Sequence, residues 1–174
     1  MKWRDWLLPL FILGMVSLFL WKALFHDAQA VPSSLIGHRI PSIHSDDLFK
    51  DQTSEMDSHI GAPFILHVFA SWCGYCEAEH RFWMHFKKTH PIHLLALNYF
   101  DKRDEAKAWL KRLGNPYDAV FYDPFGLSGF SLGVYGTPET FLIDQNGIVK
   151  QVWIGPVDEA IWQREFQKIY ETLH

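Results

Sequence analysis

Residues 64–76 read Phe-Ile-Leu-His-Val-Phe-Ala-Ser-Trp-Cys-Gly-Tyr-Cys. The near-continuous apolar run Phe64 to Ala70 is the pattern of a central strand buried on both faces. A polar segment, Cys73 to Thr89, follows with the composition of a helix and is stopped by His90-Pro91. The only two cysteines of the chain, Cys73 and Cys76, therefore stand where a buried strand hands over to a helix. A thiol pair with two intervening residues at a helix start can open and close a disulfide, because helix-start amides favour the first thiolate. On this reading Cys73 attacks and Cys76, one turn deeper, resolves the mixed disulfide. Two inert thiols, or half of a metal site, are the other readings of the pair. A structural zinc wants four Cys or His ligands, and His80 supplies one more at most.

Working outward, Ile92 to Asn98 reads as a second buried strand and Asp101 to Leu113 as an amphipathic helix closed by Gly114. Asp118 to Tyr122 is a short strand, and Pro124 to Gly133 a loop with one helical turn. Thr140–Ile143 and Ile148–Ile154 flank Asp144-Gln145-Asn146-Gly147, a hairpin signal through Asn-Gly. A last helix is expected over 157–173. Ahead of the first buried strand, Ile40 to Ile43 reads as an edge strand and Asp51 to His59 as polar loop. The order is a βαβ unit, then an antiparallel hairpin and a helix, which predicts an α/β fold with a mixed sheet covered on both faces. The thiol pair falls beyond the carboxyl end of its strand, where open α/β sheets place their sites.

The chain has 174 residues, 48% of them hydrophobic, with 8 Trp and 14 Phe, which is ample for one domain core. Its formal net charge is -4 with no basic run, which excludes nucleic acid as a partner. The amino end differs: Trp6 to Trp21 is apolar apart from Ser17, after Lys2 and Arg4, with Lys22 interrupting near its end. We expect residues 1–5 to be a cytoplasmic amino terminus, 6–25 a transmembrane anchor, 26–36 a tether and 37–174 the catalytic domain. Ala28-Gln29-Ala30 offers the alternative of a cleaved signal peptide. Either outcome exports the domain, to a compartment where disulfides persist.

The segments Phe69 to Cys76 and Gly136-Thr-Pro-Glu-Thr-Phe-Leu-Ile-Asp144 resemble the thioredoxin superfamily. The closer resemblance is to the thiol:disulfide interchange proteins of cytochrome c maturation, the DsbE or CcmG type. It is carried by Ala70 to His80, Asn98-Tyr99, Gly114-Asn-Pro-Tyr117, Asp123 with Gly126, and Gly133 to Asp144. The resemblance implies a thioredoxin-like three-layer sandwich with a mixed central sheet, preceded by one N-terminal transmembrane helix. It implies a single-pass protein of the bacterial inner membrane, anchored in the lipid bilayer, with its catalytic domain in the periplasm. It further implies a protein-disulfide reductase without a cofactor, acting on the Cys-x-x-Cys-His segment of apocytochrome c or its maturation factors. A transmembrane thiol donor of DsbD or CcdA type would recharge it.

Residue by residue, the resemblance assigns Cys73 as nucleophile, Cys76 as resolver and Pro138 as a cis-proline beside the disulfide. Glu79 and Glu139 match acidic residues that tune the site, although a helix-surface carboxylate and a turn acid are the plainer readings. Trp72, Tyr75 and Thr137 are candidate substrate contacts. His67 stands where relatives carry Asp or Asn, either as a proton relay for Cys76 or as a hydrogen-bonded core histidine, and burial favours the latter. Gly74 stands where the subgroup has Pro. An oxidant using the same residues, and a module holding apocytochrome or copper, remain the alternatives.

Overall fold

The computed structural model describes residues 4–24 and 33–173. The chain divides after residue 31, and the first unit contributes one helix, α1 (Arg4–Leu24). In the second unit β1 (His44–Asp47) and β2 (Thr53–Glu55) precede β3 (Phe64–Phe69) and α2 (Gly74–Thr89). Then come β4 (His93–Tyr99), α3 (Arg103–Leu113), β5 (Ala119–Asp123), α4 (Leu127–Ser131), β6 (Glu139–Ile143) and β7 (Val149–Ile154). A closing helical run passes from α5 (Glu159–Ile161) through a wider π segment (Trp162–Phe166) into α6 (Gln167–Glu171).

The strands form one seven-stranded sheet in the order β2-β1-β5-β4-β3-β6-β7. Its centre, β3, β4 and β5, is parallel, and β6, β7 and β1 join antiparallel. Every residue of β3 is buried, as its unbroken apolar run requires. Because successive strand side chains alternate in direction, β3 feeds two cores. Ile65 and Phe69 join Trp83 and Phe86 of α2, Trp109 and Leu110 of α3, and Trp162 and Phe166 of the closing helix. Phe64, Leu66 and Val68 join Phe121, Phe141, Ile143, Ile40, Ile43 and Met56 on the opposite face. The thioredoxin-like mixed sandwich is the observed architecture of this unit.

The polar segment 51–59 contains more structure than its composition suggests. Thr53–Glu55 pairs antiparallel with β1, as an outer edge strand whose polar side chains suit solvent and carry no apolar period. Met56–His59 then turns in a short 3-10 helix that buries Met56. Ile40 and Ile43 are buried, but regular pairing starts only at His44, and Arg39 bridges to Ile148 instead.

The transmembrane anchor and the single-pass inner-membrane location are corrected. Among the described residues, no helix is long and apolar enough to cross a membrane. Arg4 and Asp5 lie within the span of α1 rather than before it, Pro9 lies inside it, and Lys22 falls in its last turn. The uncharged stretch Trp6–Trp21 rises only about 24 Å at 1.5 Å per residue, short of a hydrocarbon core of about 30 Å. The tether's residues 26–32, the Ala28-Gln29-Ala30 site and the first three residues of the expected cytoplasmic terminus lie outside the described residues.

Trp83 is fully buried between His67, Phe82 and Phe86. Trp83→Ala is expected to destabilise the domain by about 3–5 kcal/mol, read from the urea unfolding midpoint.

Candidate active site

The turn from β3 into α2 is held by one carboxylate. Asp101 accepts from the Ser71 amide (2.5 Å), the Ser71 hydroxyl (2.8 Å), the Asn98 amide nitrogen (2.8 Å) and the Lys102 amide (2.8 Å). This knot sets the chain leaving β3 so that Cys73 becomes the N-cap of α2. Cys73 and Cys76 form a disulfide with Cα atoms 5.3 Å apart. The Cys76 amide donates to Cys73 Sγ at 3.1 Å. Cys73 keeps 5% of its surface exposed and Cys76 only 1%, so the two sulfurs are graded by depth and neither is freely exposed. Cys73 Sγ also lies 3.5 Å from the carbonyl oxygen of half-buried Thr137. The Thr137–Pro138 peptide that follows is cis. Antiparallel pairing of β3 with β6 brings these distant residues together.

Beneath the disulfide runs a buried polar chain. His67 Nε2 is 2.6 Å from Glu79 Oε1, and its Nδ1 is 2.8 Å from the Tyr117 hydroxyl. Glu79 Oε2 accepts from the Val157 amide at 2.6 Å. A carboxylate only accepts, so Nε2 donates to Glu79, while Nδ1 and the Tyr117 hydroxyl hydrogen-bond each other. Burial, and secondarily the Glu79 charge, push the Tyr117 hydroxyl well above its ordinary pKa, which keeps it protonated. On the other face of the sheet Glu139 is buried and accepts from the Tyr135 amide at 3.2 Å. Burial raises its carboxyl to about 7, and the Tyr135 hydrogen bond only partly offsets this.

The Redoxin family matches residues 36–172. A thiol:disulfide interchange protein DsbE from Allochromatium vinosum is 38% identical over 94% of this chain and 91% of its own length. The protein of that name from Escherichia coli is 37% identical over 98% of this chain and 96% of its own. The chain belongs to the DsbE family. A crystal structure assigned as DsbE from Chlorobium tepidum superposes with a TM-score of 0.65 at 26% identity, over 80% of this chain and 98% of that one. As a DsbE-type protein the chain is a thiol:disulfide oxidoreductase, and the Cys73–Cys76 disulfide occupies the motif of that reaction.

The residues expected at a DsbE site fall into three places. Cys73, Cys76, Thr137 and Pro138 meet at the disulfide, and Trp72 and Tyr75 are exposed beside it. Glu79 is not a helix-surface carboxylate: α2 turns it inward to His67, which is itself buried and hydrogen-bonded. Glu139 is likewise no turn acid, being the first residue of β6 and registered against Val68 and Ile154. Sequence reasoning missed Tyr117 and Asp101. The Asn115 side chain accepts the Tyr117 amide at 3.0 Å, so the Asn-Pro-Tyr turn was the available signal for the first. Among the described residues no three His, Cys, Asp or Glu converge on a metal position. His80 turns its Nε2 to the Gly114 carbonyl at 3.0 Å.

A carboxyl raised on folding stabilises the native state below its unfolded pKa and loses that contribution as pH climbs through its folded value. For Glu139 the window runs from about 4.5 to about 7. Glu139→Gln is therefore expected to gain stability relative to wild type across that window, by up to about 3 kcal/mol, and to hold a constant difference above it. Chemical unfolding at pH 4, 5.5, 7, 8 and 9 measures the two curves, which should run parallel from about pH 8 to 9.

Proposed function

We propose that this DsbE-type oxidoreductase is a reductant that delivers two electrons from the Cys73/Cys76 dithiol to a disulfide in another polypeptide. The observation that supports Cys73 as the attacking sulfur is the position of its Sγ, 3.1 Å from the Cys76 amide and 3.5 Å from the Thr137 carbonyl, while the reducing direction rests on the resemblance to the interchange proteins of cytochrome c maturation. A helix-start amide favours the thiolate when the pair is reduced, and the half-buried backbone before Pro138 offers hydrogen bonds to an extended peptide. The Cys73 thiolate attacks one sulfur of the target disulfide, forming a mixed disulfide and releasing the other sulfur as thiolate. The Cys76 thiolate then attacks Cys73, restoring the internal disulfide and freeing the second target thiol. The target is reduced by two electrons and takes up two protons, while Cys73/Cys76 is oxidised.

The DsbE resemblance supports the cytochrome c maturation machinery as its setting. Within it we assign as target the haem-binding Cys-x-x-Cys-His segment of apocytochrome c, or a factor handling it, since haem attachment needs free thiols in an oxidising compartment. A transmembrane thiol donor recharges the oxidised pair. Trp72, Tyr75 and Thr137 contact the target, and Pro138 shapes the receiving backbone. Glu79 and Glu139 tune the thiols, and His67 acts by positioning Glu79.

Cys73→Ser is expected to abolish disulfide reduction, whereas Cys76→Ser should accumulate a mixed disulfide with a Cys-x-x-Cys-His peptide, visible on a non-reducing gel. Unchanged turnover in Cys73→Ser would overturn the assignment. Equilibration with glutathione fixes the direction of flow: a potential near the thioredoxin value of about -270 mV accords with a reductant, and one near about -120 mV with an oxidant.

A further inference from the structure

Next to the disulfide lies an apolar surface that the exchange chemistry does not use. From Pro124 to Pro138 no residue carries a charge, in a chain whose charged content is 21%. Yet Phe125, Leu127, Phe130 and Tyr135 in this stretch are exposed, Phe130 by 84%. Phe100 extends the surface toward the disulfide. Its carbonyl accepts from the indole N–H of Trp72 at 2.8 Å, and its ring covers Gly126, where a Cβ would collide with it.

These side chains are displayed by a fixed backbone. Asp123 is buried and anchors the whole segment. Its carbonyl accepts from the amides of Phe100 (2.9 Å) and Gly126 (3.3 Å), and its carboxylate accepts from the Gly129 amide (2.9 Å). Phe100 adopts φ +47, in the left-handed region that a bulky residue rarely occupies. Its ring nonetheless remains half exposed. An ordinary surface would relieve that strain and cover those rings, and strain maintained by surrounding structure is characteristic of binding sites.

We propose that Phe100, Phe125, Leu127 and Phe130 form a specificity surface, continuous with Trp72, that receives apolar or aromatic side chains adjacent to the target disulfide. The occupant follows from the reaction. Exchange at Cys73 seats a polypeptide disulfide over Trp72 and Thr137, so chain extending from it runs onto Phe100 and α4. An apolar neighbour buries surface there, whereas a charged neighbour is desolvated without a partner. The proposal rests on the reading of Cys73 as the attacking thiol.

The test compares rates of reduction, by the reduced full chain, of three disulfides: a peptide with Phe beside its disulfide, the same peptide with Glu there, and glutathione disulfide. Wild type should favour the Phe peptide over the Glu peptide by about tenfold or more. Phe100→Asn tolerates the left-handed backbone, and Phe130→Ser changes a largely exposed ring, so both should fold. Each should remove most of that preference while leaving the glutathione rate within about twofold of wild type. No preference in wild type, or variants that keep it, would overturn the proposal, as would equal losses on all three disulfides. Failure of wild type to react with glutathione disulfide would instead count against Cys73 as the attacking thiol.

Discussion

The antiparallel register between β3 and β6 is the constraint on which the site depends. Val68 opposite Glu139 and His67 opposite Thr140 leave Thr137 and Pro138 just beyond the paired ladder, level with the turn that carries Cys73. The hydrogen-bond ladder thus sets the 3.5 Å approach of Cys73 Sγ to the Thr137 carbonyl. Sheet register does not adjust by small amounts. A slip of one residue would reverse every side chain of β6, turning Phe141 and Ile143 from one core to the other and exchanging the places of Glu139 and Thr140. The two cores, each lined by alternate residues of β3, therefore fix the geometry of the reactive pair as well as the stability of the domain.

The same alternation explains why polar groups are buried under an apolar sheet. His67 faces the helix-covered side, between Phe69 and Trp83, where a polar ring is admissible only if both nitrogens are satisfied. Glu79 and Tyr117 satisfy them, and Val157 satisfies the second Glu79 oxygen. Removal of one member would strand the others, because an unpaired buried donor or acceptor bears its full desolvation penalty of about 1–3 kcal/mol. The chain also ties α2, the element carrying both cysteines, to β3, to the strand-connecting segment at Tyr117 and to the start of the closing helix. The disulfide consequently rests on a floor that resists displacement when the sulfurs separate.

Much of this was legible in the residues themselves. The unbroken run Phe64 to Ala70, the helix start at Cys73, Gly114 after α3 and the Asn-Gly hairpin each specify local structure, and all four stand within a residue of where the pattern placed them. The thiol pair was legible because cysteine is so scarce here. What escaped were relations between distant residues. Nothing near Glu79 signals that α2 turns it inward, since the partner that accounts for its burial lies on β3. Asp101 likewise looks like an ordinary helix-start acid, and its capture of Ser71 follows from parallel pairing of β3 with β4. The polar β2 carries no apolar period because an exposed edge needs none. Charge placement also defeated the reading of the amino end: apolar content suggested a span, while the helix incorporated the flanking charges into its own length.

Gly74 shows how function can be separated from packing at this site. Its φ is not in the left-handed region, and a Cβ built there meets nothing within 4 Å, so neither backbone conformation nor space demands glycine. As the first residue of α2 it occupies the helix position at which proline is best tolerated, because the missing N–H would be unpaired in any case. Glycine there removes a conformational restraint and leaves the sterics unchanged. A looser first turn holds the Cys76 amide less firmly toward Cys73 Sγ once the disulfide opens, and that amide is what favours the thiolate. The identity of this one solvated residue therefore bears on the chemistry of the pair, while the Asp101 knot, the buried His67 chain and the β3–β6 register hold the surrounding frame constant.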